Sequence, residues 1–336
     1  MKTDRVLLDH GNGGMVSHRL ITDTILPIFN NPVLSQLGDG AILDIDGRRF
    51  AFSTDTFTVD PIFFPGGSIG NLAINGTVND IAMCGADPQF ISVGLLIEEG
   101  FSIADLEKIL KEMSIAAQEA GVKVVTGDTK VVPKGAVDKI FINTSGIGII
   151  PEDVEIGSHN ACPGDNIILS GSIAEHGITI LTQREGMSFE SSVKTDTAPL
   201  NHLVKKMLSA SGDIHVLRDP TRGGLGTSLN EIAYRSNVGI MIYEEKIPVR
   251  NEVAGICELL GLDPLYIANE GKLIAFAGPD HAEEVLAAMH EDKYGKDACI
   301  IGEVVSGNPG MVCLKTRIGG TRIVDMLTGV QLPRIC

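Results

Sequence analysis

Short apolar runs alternate with longer segments of helical period along nearly the whole chain. In the first half, QFISVGLLI reads as a strand, and SIADLEKILKEMSIAAQEAG reads as a helix capped by Ser102 and stopped by Gly121. Before them, AILDIDGRRFAFSTDTF predicts two strands joined by an Asp-Gly turn. Strands that alternate with amphipathic helices bury their apolar faces by packing helices on sheets. We therefore predict an α/β fold, with α+β sheets covered by helices.

A polar, turn-rich segment, PEDVEIGSHNACPGD at 151–165, interrupts this pattern, and the same alternation then resumes. A chain of 336 residues is also too long for one ordinary core. We predict a two-domain architecture. Its parts are a glycine-rich loop and helix at 1–35, an α/β domain at 36–155, a second α/β domain at 156–325 and a flexible tail at 326–336.

Composition excludes some classes of function. A net charge of -16, 4% aromatic residues and no Trp argue against binding to nucleic acid. There is no secretory n-region and no apolar run long enough to span a membrane. The six cysteines are scattered, without a C-x-x-C pair. We expect a cytoplasmic protein with reduced thiols and no contact with a membrane.

Four aspartates stand where apolar segments give way to turns: Asp55, Asp80, Asp128 and Asp219. Such positions present side chains to a cleft. If the four converge, they need a cation, because two carboxylates about 4 Å apart repel by about 4 kcal/mol. Magnesium that carries nucleotide phosphates is the typical choice. The alternative is that each aspartate is only a turn or cap residue.

Glycines offer possible phosphate contacts at two places. In DPTRGGLGTSLNEIA an acid, Gly223 and Gly224 lead directly into an amphipathic helix, whose free N–H groups attract an anion. These glycines can equally make only a tight turn. The N-terminal HGNGG, with Gly11, Gly13 and Gly14, is a weaker signal of the same kind, or a disordered leader. The usual G-x-x-x-x-G-K-[ST] and G-x-G-x-x-G nucleotide signatures are missing.

Four further residues are weighed for chemistry. Cys336 ends the sequence, and a mobile terminal thiol is either an accident or a reactive handle. Lys130 can meet a phosphate or a reacting oxygen, or it is a solvated strand-end lysine. Glu270 can act as a base, or it is a cap. His176 is interpreted as structural rather than catalytic.

VNDIAMCGADP, GDTKVV, DPTRGGLGT, NEGK and the final PRIC together resemble the HypE family of hydrogenase maturation factors. This family lies in an ATP-binding superfamily with aminoimidazole ribonucleotide synthetase, selenophosphate synthetase and thiamine monophosphate kinase. The resemblance covers essentially the whole chain. The Asp-and-glycine motifs recur across the superfamily, whereas the terminal PRIC is what points to HypE.

The resemblance implies a fold and a reaction. Members pair two α/β domains per chain, and they dimerise through N-terminal strands that close a barrel, with ATP at the dimer interface. The carbamoyltransferase HypF loads a carbamoyl group onto the terminal cysteine. The enzyme, a carbamoyl dehydratase, then uses ATP to convert this group to a thiocyanate. It delivers cyanide to iron on the HypC and HypD complex for the [NiFe] centre.

The resemblance also implies roles for the candidate residues. The four aspartates bind magnesium and position the phosphates of ATP, and the glycines contact phosphate. Cys336 carries the carbamoyl group, while Lys130 and Glu270 are candidates for orienting it and moving its protons. Arg334 is a candidate to offset the effect of the terminal carboxylate on the pKa of the thiol.

Two other readings stay open at this point. One is a small-molecule kinase or synthetase of the same superfamily in which the tail is incidental. The other is a non-enzymatic assembly module whose acidic surface and tail dock a partner.

Overall fold

The computed structural model describes residues 5–184, 192–329 and 334–336. The N-terminal segment is a broken helix rather than one short helix. It consists of a 3-10 turn Leu8–Gly11, α1 Gly14–Leu20, a π-helical turn Ile21–Ile25, α2 Leu26–Phe29 and a 3-10 turn Leu34–Gln36. Pro27 explains part of the irregularity, because it has no N–H to donate to the preceding helical turn.

A five-stranded sheet forms the first half of the molecule. Its strands are β1 Ala41–Ile45, β2 Arg48–Phe57, β5 Asp87–Glu98, β6 Lys123–Val132 and β7 Ile140–Ile149, in the order β1-β2-β7-β5-β6. Between them, β3 Phe63–Phe64 and β4 Gly67–Ser68 make a small separate hairpin. The β1–β2 hairpin turns at Asp46 and Gly47, both with positive φ, as the Asp-Gly pair predicts.

Two helices accompany this sheet, α3 Ile69–Met83 and α4 Ile103–Ala120. The α4 helix has the predicted ends: the Ser102 side chain accepts from the Asp105 N–H, and Gly121 is left-handed. The α3 helix is buried on nearly all sides, because it contacts β2 and β7 of the first half and also α6 and β9 of the second half. It therefore brings side chains to the boundary between the halves.

A seven-stranded sheet forms the second half. Its strands are β8 Asn166–Leu169, β9 Ile214–Arg218, β10 Gly239–Tyr243, β11 Ile274–Ala277, β12 Cys299–Val305, β13 Val312–Lys315 and β14 Thr321–Val324. Their order is β14-β13-β10-β12-β8-β11-β9, with β10 and β13 parallel and the other pairs antiparallel. The short, mostly exposed β14 has no clear apolar pattern, and the sequence does not predict it.

Five α-helices of the second half lie between these strands in the chain. They are α5 Glu175–Arg184, α6 Asn201–Ala210, α7 Gly224–Ser236, α8 Asn251–Leu260 and α9 Ala282–His290, with 3-10 turns at Glu244–Lys246 and Pro264–Tyr266. The start of α5 at Glu175 agrees with the prediction. The start of α7 at Gly224 places the glycine motif directly after β9.

The end of the chain is docked rather than free. Ile335 is only 4% exposed and belongs to the core of the first half, with Cys336 packed against the same core. The sequence predicts a flexible tail because chain ends are usually mobile and because the resemblance requires the tail to reach two places. In the structure residues 334–336 are docked, because the apolar side chain of Ile335 is buried. Pro333 lies outside the described residues.

Candidate functional site

Three carboxylates meet at the boundary between the two halves. Asp39 stands just before β1, Asp80 lies on α3 and Asp219 directly follows β9. One carboxylate oxygen from each lies within 4.8 Å of the others. The Ser53 hydroxyl donates to Asp80 Oδ2 at 2.6 Å and so fixes that side chain. Asp80 and Asp219 are thus brought together as the sequence predicts, with Asp39 as an unpredicted third member.

Burial governs the charge of this acid cluster of Asp39, Asp80 and Asp219. It raises the pKa of Asp39 to about 6 and that of Asp219 to about 7. The pKa of Asp80 is raised well above the usual range, first by burial and then by the negative charges of Asp219 and Asp55. Arg218, whose guanidinium lies 2.7 Å from Asp39, opposes the rise. Several buried carboxyl groups in one place are the oxygen donors that a hard divalent cation takes.

Asp55 and Glu270 lie beside the acid cluster. Burial raises the pKa of Asp55, while Arg222 lowers it. The pKa of Glu270 is raised well above its usual value by burial and then by the charges of Asp219 and Asp55. Its Oε1 is buried without a hydrogen-bond partner in the described part of the chain. Such an atom is costly to leave unpaired, so it indicates a group prepared to meet a substrate.

Arg222 is the cation that joins the acids to Cys336. A negative charge on Cys336, when that thiol is ionised, would be the largest cause of a raised pKa for this guanidinium, and Asp55, Glu270 and Asp80 add to it. Its Nη1 also donates to the main-chain oxygen of Gly11 at 3.1 Å. Arg222 therefore connects the N-terminal glycine loop with Cys336.

Hydrogen bonds to main-chain oxygens hold the end of the chain in place. The Thr58 N–H and hydroxyl both donate to the Cys336 oxygen, at 3.0 and 3.2 Å. The His176 Nε2 lies 2.8 Å from the Ile335 oxygen. Arg184, from the last turn of the same α5 helix, bonds the Arg334 oxygen. His176 thus binds the end of the chain, and its interpretation as a structural residue stays a prediction.

Burial raises the pKa of the Cys336 thiol to about 12. Arg222 opposes this rise, whereas Glu270, Asp55 and Asp80 strengthen it. The sequence suggests Arg334 as the opposing cation. Arg334 instead donates to Asp138 at 2.6 Å and to the Thr58 oxygen. Its guanidinium therefore pairs with Asp138 and not with the Cys336 thiol. The docked thiol is thus held in its neutral form.

The glycines predicted to contact phosphate lie in two different environments. Gly11, Gly13 and Gly14 line a cavity of about 360 Å³, together with Arg218 and Arg222. Gly223 caps α7, and Gly224 is its first residue. An added Cβ on Gly224 would lie 2.6 Å from the Leu265 oxygen, and φ there is +63°, so close packing alone requires glycine.

Asp128 and Lys130 are not brought to the acid cluster within this chain. Both lie on the exposed edge strand β6, where Lys130 Nζ is 2.9 Å from Asp128 Oδ2. The lysine holds the pKa of Asp128 below its usual value. Asp128 also lines a cavity of about 690 Å³ between α4 and β6. Their roles in catalysis remain a prediction.

Comparison with known families identifies both halves. Residues 37–150 match the family model for the AIR synthase related protein, N-terminal domain, and residues 162–313 match that for its C-terminal domain. The carbamoyl dehydratase HypE of Azotobacter vinelandii is 48% identical over 336 residues, which is all of this chain and 98% of that protein. The chain belongs to the HypE family.

Solved HypE structures have the same fold. A HypE in complex with ATP is 52% identical and has a TM-score of 0.84, over 99% of this chain and all of that one. A HypE from a HypE–HypF complex is 48% identical, with a TM-score of 0.87, over 91% of this chain and 99% of that one. The resemblance inferred from the motifs is thus confirmed, as is the α/β fold. Among the described residues, none of the helices has the length and apolar character needed to cross a membrane.

Two residues near the site, Asp39 and Arg222, are not predicted from the sequence. Asp39 lies between two glycines before a strand, a turn signal like the one that singled out the other aspartates. Arg222 lies inside the motif DPTRGGLG, next to the glycines that the pattern favours as phosphate contacts. Neither has a spacing that reveals its partners, because the contacts cross from one half of the molecule to the other.

Proposed function

We propose that this chain uses ATP to dehydrate a carbamoyl group carried on Cys336 to a thiocyanate, and so supplies the cyanide ligand of a [NiFe] hydrogenase. The observation that carries the proposal is the docked thiol of Cys336. It lies close enough to Arg222, Glu270 and Asp55 for each to influence its pKa. A thiol that carries the substrate has to lie among the acids of the site, as Cys336 does. An enzyme that acts only on small molecules does not need a thiol at this place.

The acid cluster and its neighbour Asp55 fit magnesium, because their buried carboxyl groups otherwise need protons to be stable. Magnesium would neutralise charge on the phosphates of ATP. The cavity lined by Gly11, Gly13, Gly14 and Arg222 offers main-chain and guanidinium donors for those phosphates. The HypE relative in complex with ATP supports nucleotide binding here.

The chain's own residues would act on the carbamoyl group as follows. Thr58 and His176 hold the tail so that a carbamoyl oxygen on Cys336 can attack the γ-phosphorus, which releases ADP. The carbon–oxygen bond then breaks, the oxygen leaves as phosphate, and nitrogen loses two protons to give the thiocyanate. Glu270, with its unpaired Oε1, is placed to accept a proton, and Arg222 favours its ionised form.

We propose HypF as the carbamoyl donor and the HypC and HypD complex as the cyanide acceptor. A HypE relative crystallised with HypF supports the first. All six cysteines are free in the structure, which is consistent with a reducing cytoplasm. The tail must leave its docked position to reach HypF, so docking has to be reversible.

A homodimer would explain the position of Asp128 and Lys130. They lie on β6, which pairs with β5 on one side only among the described residues and exposes Val124, Val125 and Val131. Exposed edge strands usually pair or are protected. If two copies join here, Asp128 and Lys130 lie at the interface, where they can serve a site formed with the second copy.

The proposal is tested by single-carboxylate variants. Asp80→Asn should abolish ATP turnover by the chain after HypF has carbamoylated it. The variant should stay folded, because the raised pKa of Asp80 shows that the fold already disfavours a charge there. Asp280→Asn, an exposed surface change, is the matched control and should keep full turnover. Normal turnover in Asp80→Asn would refute the site. A small-molecule kinase reading predicts instead that Cys336→Ser keeps its activity on a soluble acceptor.

A further inference from the structure

A second group of possible metal ligands lies away from the acid cluster. Cys162 Sγ, an Asp165 oxygen and a His215 nitrogen all lie within 4.8 Å of one another. His215 is on β9, four residues before Asp219. At about 3.3 Å per residue, that is a separation of about 13 Å along the strand. The two sites are therefore distinct.

A tight turn holds the first two ligands. The Asp165 N–H donates to the Cys162 oxygen at 3.0 Å, and the Cys162 N–H donates to Asp165 Oδ2 at 2.8 Å. Gly164, with φ of +103°, completes the turn. The Asp165 side chain is 2% exposed, whereas Cys162 is exposed. The carboxylate is thus fixed, and the thiol is reachable from solvent.

His215 has a carboxylate at each ring nitrogen. Its Nδ1 lies 2.9 Å from Asp165 Oδ2, and its Nε2 lies 3.1 Å from Asp213 Oδ1. A neutral imidazole carries one N–H, so it can donate to only one of them. The second nitrogen–oxygen contact is favourable only if the ring carries a second proton or if a cation binds both the nitrogen and the oxygen. The second oxygen of Asp213 is 2.9 Å from His281 Nδ1, which fixes that carboxylate in turn.

We propose that Cys162, Asp165 and His215 bind a divalent transition-metal ion of the zinc class. Thiolate, imidazole and carboxylate are the ligand types that such ions take, at about 2.0 to 2.3 Å. Tetrahedral ligands at those lengths lie roughly 3.3 to 3.7 Å apart, so small side-chain rotations complete the site. Asp213 accepts from Nε2 and so orients the imidazole, the usual outer partner of a metal-bound histidine.

Binding exchanges the thiol proton of Cys162 for the metal, and no redox change is involved. Three protein ligands leave a fourth position for water or another ligand. The ion would tie the segment that joins the two sheets to β9, and thus would stabilise the boundary between the halves. The alternative is a purely structural contact in which His215 is doubly protonated.

Cobalt(II) titration of the full chain tests the proposal. The background carries Cys336→Ala, so that the thiol of the tail does not contribute. We expect one equivalent to bind with a thiolate-to-cobalt charge-transfer band and the visible bands of tetrahedral cobalt, and zinc should displace it. Cys162→Ser should lose the charge-transfer band. Cys299→Ser is the matched control, because Cys299 is also partly exposed, and it should keep the band.

Asp213→Asn should keep the band and weaken the affinity by roughly 10- to 100-fold. Zinc should also raise the unfolding temperature of the parent more than that of Cys162→Ser, because only the acid cluster is left to bind it in the variant. A cooperative unfolding transition of Cys162→Ser without zinc shows that this variant is folded. The absence of a charge-transfer band in the parent, or its persistence in Cys162→Ser, would overturn the proposal.

Discussion

At the scale of single residues, the acid cluster places carboxyl groups where water cannot stabilise their charge. The pKa of Asp39 is about 6 and that of Asp219 about 7, against an ordinary value of 3.8 for both. The folded chain thus keeps protons that the unfolded chain releases. This is an expected property of a site that exchanges protons for a cation.

The pH dependence of stability follows from this difference. Between about pH 4 and pH 7, the folded state binds more protons at Asp39 and Asp219 than the unfolded state, so their contribution to the free energy of unfolding falls as pH rises. Magnesium prefers the ionised carboxylates and should stabilise the chain more at pH 8 than at pH 5. Urea unfolding at both pH values, with and without magnesium, measures this.

Asp219→Asn is the matched variant, and it should show a smaller loss of stability between pH 4 and pH 7 than the parent. Comparing the two removes the contributions of other titrating groups. A parent and a variant with the same pH profile and the same response to magnesium would contradict the assignment.

His176 tests the docking of the tail. Burial lowers the pKa of His176, so the ring is neutral, and with Nε2 donating to Ile335 its Nδ1 accepts from the Thr195 hydroxyl at 2.7 Å. His176→Ala leaves a main-chain oxygen unpaired at a cost of about 1 to 3 kcal/mol. That predicts roughly 5- to 150-fold more undocked tail. The alkylation rate of Cys336, followed by mass spectrometry, should rise accordingly.

His176→Gln keeps a donor near the Ile335 oxygen and should alkylate more slowly than His176→Ala. The alkylation rate of Cys162 in the same samples serves as an internal control for general loosening of the fold. Equal rates at Cys336 in the parent and in His176→Ala would show that this hydrogen bond does not hold the tail.

At the scale of elements, the connection from β9 to α7 is the part of the site best predicted from the sequence. An acid, a glycine pair and an amphipathic helix follow one another without a gap, so local pattern alone indicates the turn and the helix start. The sequence does not reveal why Gly224 is glycine. The reason is its approach to the backbone at Leu265 and Ile267, from a distant part of the chain.

Gly224→Ala should destabilise the fold. A Cβ would lie 2.6 and 2.7 Å from the oxygens of Leu265 and Ile267, in a left-handed conformation, which predicts a loss of about 1 to 3 kcal/mol. Gly255→Ala, at an exposed position of α8 with nothing near an added Cβ, should stabilise the fold by up to about 1 kcal/mol. Urea unfolding distinguishes them, and equal effects of the two changes would contradict the packing argument.

At the scale of the whole molecule, the sequence predicts the α/β class but not how the ends of the chain meet the core. The tail binds Thr58 after β2 and two residues of α5, and no local pattern relates these places. The same holds for Asp39, which joins Asp80 and Asp219 only once both halves have folded. Periodicity predicts elements, whereas sites built across elements need the three-dimensional structure.

The proposed dimer is tested on β6. Replacing both Val125 and Val131, 58% and 66% exposed, with lysine should shift the chain from dimer to monomer in sedimentation equilibrium, because charge protects an edge strand from pairing. Ile318→Lys changes a side chain that is 96% exposed away from this sheet, and it should leave the dimer intact. A monomeric parent, or a dimeric double variant, would contradict pairing through β6.

The central claim is that Cys336 carries the carbamoyl group through its dehydration. The most direct measurement is the mass of the C-terminal peptide after incubation with HypF and a carbamoyl donor, with and without ATP. We predict that Cys336 gains a carbamoyl group, and that this group loses the mass of one water only when ATP is hydrolysed. An unmodified Cys336 in a sample that still consumes ATP would contradict the claim.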